Sequence, residues 1–535
     1  MNKRNKVIEK RIRAPTLRKS VRFRNTGYSE GGASRTSNIL KAWNPVRSSA
    51  KSDIDANLRS LRGRSADQVI NTPIGAAAIN SSAVHAVGDG LRLFPRIPYK
   101  FLGLDANAGR EWARNTSREF ELWASSKNCD LYRRNNFYDL QYIAYTTYLT
   151  DGDSFSLFRR KKPTYDIPYS LRLQLLEANR VSNPANQGYI SSSGAYSVEM
   201  KAPNGNRIVN GVEIAADGEI VAFWISNKVP NDPTDFRIAE WVRVEAFGKR
   251  TGVPNILQVC HDTRAEQYRG VPYLAPVLET LKQVSRYTTA ELTSAIIKSF
   301  FALFFTSQAG SSDLDNILGA QGDKEDPMAP VVDVSEYGLA PGTMNALPRG
   351  VDVKSVDASN SQSTFEPFVT QLIKQIAAAI GQPYEVLLKS FTSSYSASRA
   401  ALLQAWEEYK LRRKWFASDF CQPVYETWLA EAVAIGRIEA PGFFDDPLIR
   451  KSWCTADWFG PTMSILDPVK DINGSALRTT YGLSTREREA AEMTGTDLEE
   501  NLEQLAYEKQ LIDGYGLNMG DPQVLAGKGG EKEDE

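Results

Sequence analysis

The chain has 535 residues, too many for one hydrophobic core, so two to four packed units are expected. Lys plus Arg and Asp plus Glu both number 64, which excludes a protein that grips nucleic acid through bulk positive charge, though not one that lets it pass. The four cysteines, Cys129, Cys260, Cys421 and Cys454, lie far apart with no CxxC pair and read as free thiols of a reducing compartment.

Residues 1–24 hold ten Lys or Arg and one acid, Glu9. They have no apolar core, so they read as a basic arm rather than a signal peptide. Residues 25–50 continue as an irregular arm. Helices are expected over Ser65–Asn71 and Ile74–Val87, parted by Thr72-Pro73, with a short strand at Leu91–Phe94 after Gly88-Asp89-Gly90. Residues 108–126 put Trp112, Phe120 and Trp123 on one helix side, and Phe137–Asp151 is a further helix. A strand-rich block follows: Ser154–Arg159, Ser170–Leu176, a hairpin over Gly211–Ile225 turning at Asp217-Gly218, then Trp241–Ala246 and Ile256–Cys260.

Leu274, Val277, Leu278, Leu281 and Val284 keep helical spacing, and nothing breaks the helix before Thr306, a length of roughly 45 Å. Its most apolar stretch, Ala295–Phe305, is about half a membrane span and contains Lys298, so it reads as a buried or subunit-contact helix. Residues 308–363, with Val331–Val334 and Gly350–Lys354, read as a small β-containing insert. A helix returns at Phe365 and breaks at Gly381-Gln382-Pro383; a polar loop follows, and a long helix begins near Ser396 and extends through Phe416–Leu429. Trp453–Leu466 reads as an aromatic loop. Ser484 and Thr496 or Asp497 are expected caps of acid-rich C-terminal helices.

Little here bears catalytic chemistry. There are two histidines, and Cys260-His261-Asp262 has no second ligand cluster, so it reads as a strand end; His85 reads as a packed side chain. No GxxxxGK[ST] or strand-borne GxGxxG occurs. Asp151-Gly152-Asp153 lacks the later acid of a calcium loop and reads as a turn. Glu407-Glu408 and Glu499-Glu500 read as solvated helix faces. Neither a cofactor nor a metal is expected. Lys410, Arg412, Arg413 and Lys414 crowd one helix, where subunit contact is favoured over DNA contact.

Several stretches, in this order, carry a resemblance: SADQVINTPIGAAAINSSAVHAVGDGLRLFP, LEANRVSNP, GVEIAADGEIVAFWI, and the helix–loop–helix of 365–415 with Ser394-Tyr395-Ser396-Ala397-Ser398-Arg399. The chain thereby resembles the lambda-type portal proteins of tailed bacteriophages over about residues 50–510. The resemblance implies an α+β, multidomain portal fold assembling as a ring, twelve-fold in the assembled head. Its parts would be a flexible arm (1–50), a wing (51–270), a first stem helix (271–307) and a clip (308–364). A second stem helix (365–381), a channel loop (382–396), a long helix with more wing (397–465) and a helical crown with an acidic tail (466–535) complete it. It implies a homo-oligomer passing double-stranded DNA, docking terminase and a head–tail connector protein beside major capsid and scaffold proteins, at a capsid vertex and, during assembly, in the host cytoplasm, with no membrane and no enzymatic activity. Lys389, Ser390, Thr392 and Ser393 become channel-loop candidates, Lys282, Arg286 and Lys374 weaker lumen candidates, and Arg399, Arg412 and Arg413 subunit-contact candidates. A coat or scaffold subunit, or a DNA-cleaving enzyme, are the competing readings.

Overall fold

The computed structural model describes residues 37–165, 167–184, 199–230, 232–300, 304–307, 351–354, 362–391, 394–463, 468–496 and 498–515. The chain divides into two units, Met1–Ser49 and Ala50–Glu535. In the first, the described residues form a turn in which the Ser37 carbonyl accepts from the Leu40 and Lys41 amides. Everything below concerns the second.

Helices Leu58–Asn71 (α1) and Pro73–Ala86 (α2) meet at Thr72, whose Oγ1 accepts from the Gly75 amide and so satisfies a free donor of α2. The helices are close enough that a Cβ on Gly75 would lie 2.4 Å from the Gln68 carbonyl oxygen, so only glycine fits. Strand Arg92–Pro95 (β1), helix Ala106–Ala124 (α3) and helix Phe137–Asp151 (α4) follow. A reciprocal Asn136–Asp139 pair opens α4, and Gly152, at φ 93°, closes it in a left-handed turn that a side chain would disfavour.

The β block forms two antiparallel sheets. Leu171–Leu176 (β3), Asp153–Arg160 (β2) and Ile256–Cys260 (β9) make the first, in the order β3-β2-β9. The second runs in chain order through Glu199–Lys201 (β4), Arg207–Val209 (β5), Val212–Ile214 (β6), Ile220–Ser226 (β7) and Trp241–Glu245 (β8). The β6–β7 hairpin turns at Asp217-Gly218 as its sequence predicts, with Gly218 at φ 98°. Phe155, Leu157, Leu176, Val212, Ile214 and Phe223 form the core shared by the two sheets.

Glu213 of β6 is fully buried and accepts from Arg243 Nε at 2.7 Å, Arg243 Nη2 at 3.0 Å, Asn204, Asn206 and Trp224 Nε1. Burial opposes its charge, but these donors outweigh burial and hold its carboxyl down at about 2. Its contribution to stability is therefore complete above the unfolded carboxylate range and lost as pH falls toward 2. Acid titration of Trp224 and Trp241 fluorescence is expected to show this sheet loosening between about pH 4.5 and 2, and Glu213→Gln to flatten that limb while lowering stability at neutral pH.

Helix Leu278–Phe300 (α5) is shorter than its sequence pattern predicts. Phe304–Ser307 (β10), inside the predicted helix, pairs instead with Val351–Lys354 (β11), antiparallel. Backbone strand pairing here overrides the helical pattern. Val331–Val334 lies outside the described residues.

Helix Gln362–Ala379 (α6) returns alongside α5, and a short helix, Tyr384–Leu388 (α7), follows. Tyr395–Phe416 (α8) then runs through a wider π turn, Ala417–Cys421, into Gln422–Ala434 (α9). The expected long helix is present; Pro423 has no N–H to return to the preceding turn, and the widened turn falls beside it. Helix Pro447–Trp453 (α10) leads to Ala456–Phe459 (β12), which pairs antiparallel with β1. Trp453–Leu466, read from sequence as a loop, thus contains a strand: Trp458 and Phe459 are ladder residues opposite Leu93 and Arg92. Pro468–Thr480 (α11), Arg486–Met493 (α12) and Leu498–Gly514 (α13) end the described chain. Thr485, one residue beyond the expected Ser484, caps α12. Asp497 lies outside the described residues.

The larger core joins α2, α3, α4, α8 and α9. Phe120, Phe137, Phe416, Phe420, Tyr425 and Trp428 are all at most 2 % exposed and pack edge-on or stacked. No helix among the described residues is long and apolar enough to cross a membrane.

Candidate channel-loop site

The stretch 382–396 is not a polar loop throughout. Helix α6 ends at Ala379, Gly381 turns the chain at φ 70°, and the chain then docks. Gln382 is buried, and its amide donates to the Ala78 carbonyl at 2.9 Å and meets the Tyr273 hydroxyl at 3.1 Å. Tyr273 in turn donates to the Ile380 carbonyl. Glu385, Val386 and Leu387 of α7 are buried against this corner. The expectation of a free loop therefore fails for 382–387: apolar residues at 386 and 387 seek the core, and Pro383 supplies a helix start.

The free part begins at Leu388. Lys389 is exposed and adopts the left-handed conformation at φ 52°, while the Ser390 amide reaches back to the Glu385 carbonyl at 3.0 Å. Phe391 is exposed beside them. Thr392 and Ser393 lie outside the described residues. Lys389 and Ser390 are thus exposed where α7 ends, one cation and one hydroxyl facing solvent.

The other predicted residues scatter. Lys374 on α6 lies over the Tyr384 ring at 4.7 Å, close to the loop's base. Lys282, exposed on α5, stands 3.8 Å from Asp67 of α1, and Arg286 is exposed one turn further along. Arg399 pairs with Asp471 of α11 at 2.7 Å. Arg412 bonds to Glu408 one turn before it and covers the Tyr273 ring at 4.6 Å. Arg413 donates to the Ala86, His85 and Pro461 carbonyls at 2.9, 3.0 and 2.7 Å. Arg399, Arg412 and Arg413, expected at subunit contacts, thus bind partners within their own chain. Helix α8 lies against α2, so its arginines meet carbonyls, rings and carboxylates within the chain.

Neither histidine is placed for chemistry. His85 stacks on Tyr409 at 4.9 Å, and His261 stacks on Trp415 at 3.6 Å, where burial lowers its pKa. No group of three or more His, Cys, Asp or Glu that could hold a metal occurs among the described residues. Glu499, expected on a solvated face, reaches Arg114 of α3 and, with Glu503, holds the start of α13 there.

Sequence reasoning missed one cluster. Asp153 is wholly buried where α4 turns into β2, and accepts from Arg269 Nε and Arg62 Nη2, each at 2.6 Å. Arg269, 1 % exposed, also donates to the Ala178 carbonyl at 3.0 Å, the Val181 carbonyl at 2.8 Å and the Asn210 carbonyl. Arg62 donates to the Asp151 carbonyl at 2.8 Å. Burial opposes the Asp153 charge, but Arg269 and Arg62 outweigh it and hold the carboxyl below its usual range. Arg62 is pushed down to about 10 by burial and by Arg269. Burial also raises Asp151 to about 6. Gly152 and Gly270 let two backbones touch here: a Cβ on Gly270 would lie 1.8 Å from the Gly152 oxygen. This centre ties α1, α4, β2 and both sheets together, a structural role rather than a catalytic one.

Comparison with known proteins fits this inventory. The family described as phage portal protein, lambda family, matches residues 36–413. The chain is 26 % identical over 500 residues to portal protein B of Escherichia phage lambda, covering 89 % of this chain and 87 % of that protein. It is 25 % identical over 515 residues to the portal protein of Escherichia phage N15, covering 92 % and 91 %. Among solved structures, a chain from the neck of an empty gene transfer agent particle aligns with a TM-score of 0.44 and 12 % identity, covering 84 % of this chain and 94 % of that one. With the family model matching residues 36–413, the chain belongs to the lambda family of phage portal proteins.

Proposed function

We propose that about twelve copies of this chain close into a ring at one capsid vertex, through which double-stranded DNA is packaged and ejected. In this reading α5 and α6 are the stem and residues 308–364 the clip. Residues 51–270 and 397–465 form the wing, 466–535 the crown with its acidic tail, and 1–50 a basic arm. Terminase and the head–tail connector dock on the ring, which adjoins capsid and scaffold proteins.

The observation that carries this reading is the uneven burial of the α5–α6 pair. Near the body, Leu281, Val284, Ile373 and Ile376 are buried. Farther out, Leu292 is 62 % and Phe368 50 % exposed. Helices with apolar residues on an uncovered face need neighbours, and a ring of identical subunits supplies them by a heterologous contact that rotates to closure.

Lys389 and Ser390, with Thr392 and Ser393, are assigned to the channel-facing tip; Lys282, Arg286 and Lys374 are secondary lumen residues. Few cations at the tip favour transient phosphate contact over the tight, salt-dependent kind that would hold a strand still. The double variant Lys389→Asp, Ser390→Asp is expected to assemble normally and to lower DNA packaged per particle by about tenfold, the effect of roughly 1.4 kcal/mol of added repulsion. Nuclease-protected DNA in assembled heads measures it, and normal packaging by rings of this variant would remove the tip from the channel.

A further inference from the structure

A cleft of about 850 Å³ opens where α8 faces β12 and the start of α12. Its lining includes Arg96, Lys410, Arg413, Lys414, Lys451 and Arg488. The acids in it are Asp457 and Glu492, and both are engaged: Asp457 with Arg96 at 2.6 Å and Glu492 with Arg488 at 2.9 Å.

One wall is left uncompensated. Lys410, Arg413 and Lys414 stand at helical spacing on a single face of α8. Lys410 and Lys414 are exposed, and neither has an ion pair among the described residues. Arg413 is held by three carbonyls and the Trp406 ring, 5.6 Å away, with no carboxylate among its partners. Burial pushes it down to about 10, as a cation without a counter-ion requires.

The shape selects the kind of anion. A cleft of this volume does not admit a duplex, whose major groove alone is about 12 Å wide. It does admit one extended peptide, held by the charge of its basic wall. The most acidic run of the polypeptide is Glu531-Lys532-Glu533-Asp534-Glu535. It follows α13, which is about 25 Å long and begins five residues after α12, whose Arg488 and Glu492 line the cleft. Residues 516–530 can span about 50 Å, enough to lead back along that helix.

We propose that this basic cleft is the docking site of the acidic C-terminal segment of this polypeptide, Glu531–Glu535, clasping the C-terminal helices to α8 by charge. The proposal does not depend on the ring.

Zero-length carbodiimide coupling on the full chain, read by mass spectrometry, tests it. Segment 531–535 is expected to couple to Lys410 or Lys414 about tenfold more than to exposed Lys100. The excess should collapse at about 1 M salt, where the Debye length shrinks to about 3 Å. Arg488→Glu, which keeps both lysines, should cut the excess severalfold. Coupling no greater than at Lys100, or unmoved by salt and by Arg488→Glu, would overturn the proposal. Protection of Lys410 and Lys414 from acetylation by an added duplex oligonucleotide would also overturn it, assigning the cleft to DNA.

Discussion

Asp153→Ala is expected to be the most damaging single substitution in the body of the subunit. It leaves the guanidinium groups of Arg62 and Arg269, 4 % and 1 % exposed, facing each other without an anion. Breaking a buried pair in this way costs about 3–5 kcal/mol, most of a typical domain's stability. Asp153→Asn keeps the shape and loses the charge, so it should fail nearly as badly, whereas a cavity alone would be relieved by it. The sign with pH follows from the depressed carboxyl. The contribution is full above the unfolded value near 4 and is lost as pH falls through the lower folded one. The melting midpoint and protease resistance of both variants measure the effect. A midpoint within about a degree of the parent, where 1 kcal/mol moves a domain by several degrees, would show that the centre bears no load.

The second large effect concerns assembly. Leu292→Glu with Phe368→Glu places two carboxylates on the exposed outer part of the α5–α6 pair, beside Tyr287, which packs on Phe368 at 5.1 Å. In an isolated subunit these positions face water, and the cost is small. In a ring the same carboxylates are desolvated at every interface, at several kcal/mol each. The variant is expected to melt like the parent and to remain monomeric by light scattering across concentrations at which the parent assembles. Parent-like rings from the variant would show that this face meets no neighbour.

Much of the fold is legible in the sequence because its signals are local. Thr72-Pro73 marks a cap and a first helical position, Asp217-Gly218 a hairpin, and the α4 aromatics a buried helix. The failures are non-local. Nothing near Trp458 announces that Leu93, far earlier in the chain, will pair with it. Phe304 and Phe305 continue a helical pattern until Val353 and Lys354 offer a ladder. The apolar corner of α7 was hidden inside a loop flanked by Gly381, Pro383 and serines. The Asp153 centre was missed for a related reason. Asp151-Gly152-Asp153 is the turn it resembles, but its partners Arg62 and Arg269 come from distant segments and only tertiary structure unites them. The candidate site was legible in part. Lys389 and Ser390 are exposed just after α7, as a loop reading expects, while Arg399, Arg412 and Arg413 also hold carboxylate, carbonyl and aromatic partners within the chain that charge counting does not reveal.

Membership in the lambda family of phage portal proteins makes this chain a structural component of a virion rather than an enzyme. A coat or scaffold subunit, and a nuclease, do not fit that membership.

Electron microscopy of the purified protein, viewed along the particle axis, tests the central claim most directly. Closed annuli of about a dozen subunits around an open, duplex-wide hole are predicted. Particles with filled centres, or a species that never associates however concentrated, would contradict it.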